Sequence, residues 1–130
     1  MNLVSLVIEG DDQSLSFIKN KLNIDIDASW QKGTQTITGK IIEKSGFTAC
    51  IAESLTPSDM IEKLVIFLHH LDEKHIKFDQ LKLDARLSIG FTVGDESQYF
   101  STVLFPKKIL LLVSNLGLDL SVSAYPATNE

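Results

Sequence analysis

Two segments in the C-terminal half alternate apolar and polar residues without a break, and this alternation restricts the fold more than any other feature. Residues 85–93 read Ala-Arg-Leu-Ser-Ile-Gly-Phe-Thr-Val, and residues 118–125 read Leu-Asp-Leu-Ser-Val-Ser-Ala-Tyr. A period of two is the pattern of a strand that buries one face only. The opposite face then carries Arg86, Ser88, Gly90 and Thr92 in the first segment, and Asp119, Ser121 and Ser123 in the second. Strands of this kind belong to an open sheet with helices on one side and small polar side chains on the other. An uncovered face of that composition is a place where a partner can dock.

The remaining elements fall into order around these two. Residues 2–9 predict a first strand, closed by the turn Gly10-Asp11-Asp12. A helix follows, with Leu15, Ile18 and Leu22 at helical spacing and Asp12 or Ser14 as its N-cap. Residues 25–46 are polar and turn-rich, with a short strand at Thr36-Ile37-Thr38, and Phe47 to Glu53 predicts the next strand. Thr56-Pro57-Ser58-Asp59 is the clearest helix start in the chain: a capping threonine, proline at the first helical position and an acid three residues after the cap. Ile61, Leu64, Val65, Leu68 and Leu71 form the apolar stripe of that helix. A third helix runs from Pro106 to about Leu116 and is stopped by Gly117. Its core face is Ile109, Leu112, Val113 and Leu116, which leaves Leu111 on the far side beside Lys107, Ser114 and Asn115. The expected architecture is an α+β two-layer sandwich, with a four- or five-stranded, largely antiparallel sheet and helices on one face.

Composition sets the class. A chain of 130 residues, 44% hydrophobic and 22% charged, is expected to fold as a single domain over 1–130, with a core that needs neither metal nor disulfide. Cys50 is the only cysteine and lies in the apolar run Ala49-Cys50-Ile51-Ala52, which predicts a buried structural thiol. No basic leader region precedes the first strand and no apolar run approaches the length of a membrane span, so a cytoplasmic protein without membrane attachment is expected. The net charge is −5, and Arg86 is the single arginine among twelve basic residues. That balance argues against nucleic acid and towards a basic protein partner.

At Ser29-Trp30-Gln31-Lys32-Gly33 the chain resembles the bacterial domain of unknown function 4279. The shared features are a first strand and helix, a Trp-x-Lys-Gly loop, a Gly-aromatic opening of the next strand (here Gly46-Phe47 in place of the usual Gly-Trp) and a long amphipathic helix. A C-terminal strand–helix–strand block over Leu87–Val93, Pro106–Gly117 and Leu118–Tyr125 completes the resemblance. It implies an α+β domain and carries no activity and no catalytic residues.

Several constellations have a structural and a functional reading. Trp30, in a loop beside Lys32 and Gly33, either folds back over the core edge or anchors a partner. His69 and Glu73 stand four residues apart, as in some helical metal sites, but no complementary ligand occurs elsewhere, so an exposed ion pair is expected. His70 points away from the apolar stripe and His75 falls near it. The acidic groups Glu9-Asp11-Asp12, Asp25-Asp27 and Asp95-Glu96 read as turn and cap residues or as contacts to a basic partner. Phosphate-loop, dinucleotide, nucleophile-elbow and zinc-protease patterns are absent from the sequence.

The expectation is therefore a non-catalytic binding module without a cofactor: an immunity-type protein that neutralises a toxin partner, with Trp30, Lys32, Asp95, Glu96 and Leu111 as candidate contacts. The alternative is a small-ligand-sensing or enzymatic domain with a pocket near the Trp30 loop. A third reading is a self-associating structural domain.

Overall fold

The computed structural model describes residues 2–93 and 102–126. The elements run β1 (Asn2–Gly10), α1 (Asp12–Leu22), β2 (Ala28–Trp30), β3 (Ser45–Ser54), α2 (Pro57–Glu73), β4 (Asp84–Val93), α3 (Lys107–Asn115) and β5 (Leu118–Pro126). The strands form one sheet in the order β2-β3-β1-β4-β5. Neighbours are antiparallel except β4 and β5, which are parallel because α3 carries the chain back between them. The expected α+β architecture is the observed one, with five strands and all helices on one face.

β1 sits in the middle of the sheet. Its inward residues Val4, Leu6 and Ile8 are completely buried, as are Phe47 of β3 and Leu87 and Ile89 of β4. Leu15 and Ile18 of α1, Met60, Leu64, Leu68 and Leu71 of α2, and Ile109 and Val113 of α3 close over them as one cluster. Met60 was not in the expected α2 stripe and is fully buried, whereas Ile61 and Val65 are only partly so. The buried arc of the helix is therefore centred on Met60, Leu64, Leu68 and Leu71, with Ile61 and Val65 at its margin.

The capping chemistry explains why α1 and α2 start where they do. Asp11, not Asp12 or Ser14, caps α1: its carboxylate accepts from the Ser14 amide at 2.8 Å and from the Ser14 hydroxyl at 3.0 Å. Those bonds hold the Asp11 carboxyl below its usual pKa, with the Ser14 amide the largest cause. At α2 the Thr56 hydroxyl accepts from the Asp59 amide at 3.2 Å, and the Asp59 carboxylate accepts from the Ser54 hydroxyl at 2.7 Å. Ser54 thus couples the end of β3 to the first turn of α2.

Three local expectations change. The short strand is at Ala28–Trp30, not at Thr36-Ile37-Thr38. Residues 33–42 instead form a small projecting hairpin, held by Gly33 N–H to Ile42 C=O at 2.8 Å, Ile42 N–H to Thr34 C=O at 2.9 Å and Thr36 N–H to Lys40 C=O at 2.7 Å. Ile37 stands fully exposed in it. His75 is exposed rather than near the core and turns the chain with a φ of 57°. His69 and Glu73 are both exposed, and no ion pair joins them among the described residues.

α3 has the expected phase. Ile109, Val113 and Leu116 are buried, Leu112 is half-buried, and Leu111 is exposed. Leu111→Asp should therefore change unfolding free energy by no more than about 0.5 kcal/mol. Val113→Asp places an unpaired carboxylate in the core and should abolish cooperative thermal unfolding followed by circular dichroism.

Candidate functional site

Side chains on the face opposite the helices stand in rows set by strand register. Trp30, Gly46, Glu9 and Asp84 make one row, and Ala28, Thr48, Val7, Arg86 and Asp119 the next. Cys50, Ser5, Ser88 and Ser121 follow, then Glu53, Leu3, Gly90 and Ser123, and finally Thr92 beside Tyr125. No described helix covers this face. Its middle is built from hydroxyls and small side chains, and aromatic rings occupy its two ends.

Both rings lie over glycines. A Cβ at Gly46 would come within 2.6–2.7 Å of the Trp30 ring and 2.7 Å of the Ile8 carbonyl oxygen, and one at Gly90 would come within 3.0 Å of the Tyr125 ring. Each glycine in the strand provides the flat floor on which a cross-strand ring rests, which restores packing that a strand glycine otherwise lacks. Trp30 thus belongs to a strand rather than a loop, and it folds onto the open face of the sheet, half-exposed. The Trp-x-Lys-Gly and Gly-aromatic patterns form one local device. Gly46 seats the Trp30 ring, Phe47 points the other way into the core, and the Ser45 hydroxyl accepts from the Lys32 amide at 2.9 Å. Gly33, with a φ of 90°, then starts the hairpin.

Beside Trp30 the surface is grooved. One depression of ≈ 660 Å³ is lined by Glu9, Trp30, Ile42, Glu43 and Lys44, and a neighbouring one of ≈ 440 Å³ includes Lys32, Asp11, Asp12 and Asp84. Lys44 and Asp84 form an exposed ion pair at 2.6 Å between them. The hydrogen bond and charge of Asp84 raise the Lys44 pKa. Arg86 has no ion-pair partner among the described residues. The strands therefore place Glu9, Glu53, Asp84 and Asp119 on the described part of the face against the guanidinium of Arg86, and with Asp84 paired to Lys44 the carboxylates of Glu9, Glu53 and Asp119 still outnumber it.

Cys50 is exposed on this face, not buried. The reason is a β-bulge: the register of β3 against β1 shifts between Val4 and Ser5, so that Cys50 pairs with Ser5 and Ala52 with Val4. The extra residue, Ile51, resets the alternation, and the apolar run becomes one outward thiol between inward alanines. Partial burial, followed by the carboxylates of Glu53 and Asp27, raises the thiol pKa. A raised pKa lowers the fraction of thiolate, the reactive form.

Of the sequence candidates, Trp30 and Lys32 share the corner where β2 enters the hairpin. Leu111 lies in the helical layer on the other side of the sheet. Asp95 and Glu96 lie outside the described residues. No group of three or more His, Cys, Asp and Glu side chains that could hold a metal converges among the described residues, and no described helix is long and apolar enough to cross a membrane. Sequence reasoning missed Tyr125 as a partner of Gly90 and missed Glu53 on the open face, and it named Glu9 among the acidic groups without its place on this face. The Gly90 signal was present in the alternation, but the partner ring depends on cross-strand register.

The five-stranded mixed sheet with one helical layer defines an α+β domain. A family model described as Domain of unknown function (DUF4279) matches residues 1–127, and the chain belongs to that family. Comparisons with curated proteins and with solved structures give no match.

Two predictions follow from this geometry. Gly46→Ala should displace the Trp30 ring, shift its fluorescence maximum and destabilise the fold by about 1–3 kcal/mol, read from the single tryptophan during denaturant unfolding. Glu53→Gln removes a negative charge near Cys50, lowers the thiol pKa and should speed alkylation by iodoacetamide at neutral pH, measured by mass spectrometry.

Proposed function

We propose that this domain is a non-catalytic protein-binding module, an immunity-type protein that neutralises a basic toxin by receiving it on the uncovered face of the sheet. The observation that carries the reading is the composition of that face. Its centre is small and hydroxyl-rich, so a partner can approach the backbone closely, and carboxylates outnumber the one arginine. Trp30 and Tyr125 stand at its ends, the residue types that most often dominate binding energy. The acidic field steers a basic partner and raises its association rate, while the rings supply contact area. The depressions near Trp30 are open grooves at the rim of this face, which suits docking better than enclosure of a small substrate.

The test is to look for a basic toxin domain encoded beside this chain and, with that domain as partner, to co-express the two and measure binding kinetics on the purified pair. Growth should be rescued by the unaltered chain. Ser88→Arg, in the centre of the face, should weaken binding by about a hundredfold and remove rescue. Asp119→Lys should mainly slow association and flatten its salt dependence. Ile66→Asp, on the exposed side of α2, should change neither. Equal binding by the Ser88→Arg protein would refute docking on this face.

A further inference from the structure

β5 presents a nine-residue outer edge with no strand beside it among the described residues. Sheet edges avoid unwanted pairing through lysine, proline, bulges or short length. β5 uses almost none of these devices. Its pairing with β4 runs unbroken from Leu118 to Pro126, proline comes only at that last position, and Asp119 is its only charge.

The apolar pattern of β5 also extends past its own core. Leu118, Leu120, Val122 and Ala124 all point to the helical side, yet only the first half is covered: Leu118 is 6% exposed, whereas Val122 is 51% exposed and Ala124 is exposed as well. α3, which packs on β5, leaves Leu110 and Leu111 exposed in the same layer. A one-sided apolar strand whose second half meets solvent, on an edge with free backbone groups, fits another strand with the same pattern.

We propose that two copies of this chain associate by antiparallel pairing of their β5 edges about a two-fold axis at Val122, joining both sheets into one. Val122 is the midpoint of Leu118–Pro126, so this register uses the whole strand. It sets Leu120 opposite Ala124, Ser121 opposite Ser123 and Asp119 opposite Tyr125. The two Asp119 carboxylates are then kept apart, and apolar side chains meet apolar ones on the helical side. The central rows of the solvent face stay open, so the dimer is compatible with the docking proposed above and stands independently of it.

Analytical ultracentrifugation over a concentration series should show a reversible dimer. Val122→Lys, which places a charge at the seam, should raise its dissociation constant by about tenfold or more with an unchanged circular dichroism spectrum. Cys50→Ser/Val122→Cys should cross-link to itself on mild oxidation, because facing residues of paired strands lie within disulfide reach. Cys50→Ser/Thr48→Cys, with its thiol in the middle of the open face, should not. The cross-link decides the matter if the lysine variant fails to fold. A monomer at every concentration, or a dimer that Val122→Lys leaves intact and Val122→Cys does not cross-link, would overturn the proposal. Pairing of β5 with a strand from a different protein, leaving the free chain monomeric, would overturn it equally.

Discussion

One-sided burial of β1 organises the molecule. With β3 and β4 on its flanks, its inward residues Val4, Leu6 and Ile8 are the ones against which α1 and α2 close, and none of the three retains any exposure. Burial of this kind is worth about 1.5–3 kcal/mol per large aliphatic side chain, so the choice of face is energetically decided. Slipping β1 by one residue would send Ser5 and Val7 inward and the three aliphatics to solvent, an exchange the fold cannot absorb. The open face is a consequence of the same choice. Because the helices commit to one side, the other keeps hydroxyls and small side chains at its middle and charged and aromatic ones around them.

Much of this was legible from residues alone. Unbroken alternation in β4 and the Thr56-Pro57 start of α2 are local signals, and local physics controls them: a period of two, a capping hydroxyl, a proline that needs no amide donor. The α3 phase was equally plain, since four apolar residues at helical spacing leave Leu111 no place in the core. What could not be read depended on a second strand. Cys50 looked buried because Ala49-Cys50-Ile51-Ala52 is apolar throughout, and only the register shift against β1 turns it outward. Trp30 looked like a loop residue because a three-residue strand has too little sequence to show a period, and its pairing with Gly46 is a long-range event.

The candidate site was less legible than the fold for the same reason. A site made of rows across five strands has no contiguous motif. Glu9, Glu53, Asp84 and Asp119 come from four different strands, and their common orientation follows from parity and register rather than spacing. The Trp-x-Lys-Gly pattern, by contrast, is visible as a string, and its residues serve to seat a ring and to start a hairpin. Visible motifs here describe how β2 is attached, while the chemistry of the surface is distributed.

The hairpin over residues 33–42 has a consequence of its own. Its base is closed on itself by the bonds between Gly33, Thr34 and Ile42, the Lys32 amide just before it is held by the Ser45 hydroxyl, and residues 33–41 are all exposed, so the core does not sense what the loop contains. Loop closure depends only weakly on length once the two ends are fixed, so residues can be added or removed at the tip at little thermodynamic cost. The Trp30 latch and the Gly33 turn act as a socket for an interchangeable segment at the rim of the sheet. A change of sequence at the tip meets solvent alone and leaves the contacts that hold the domain together as they are.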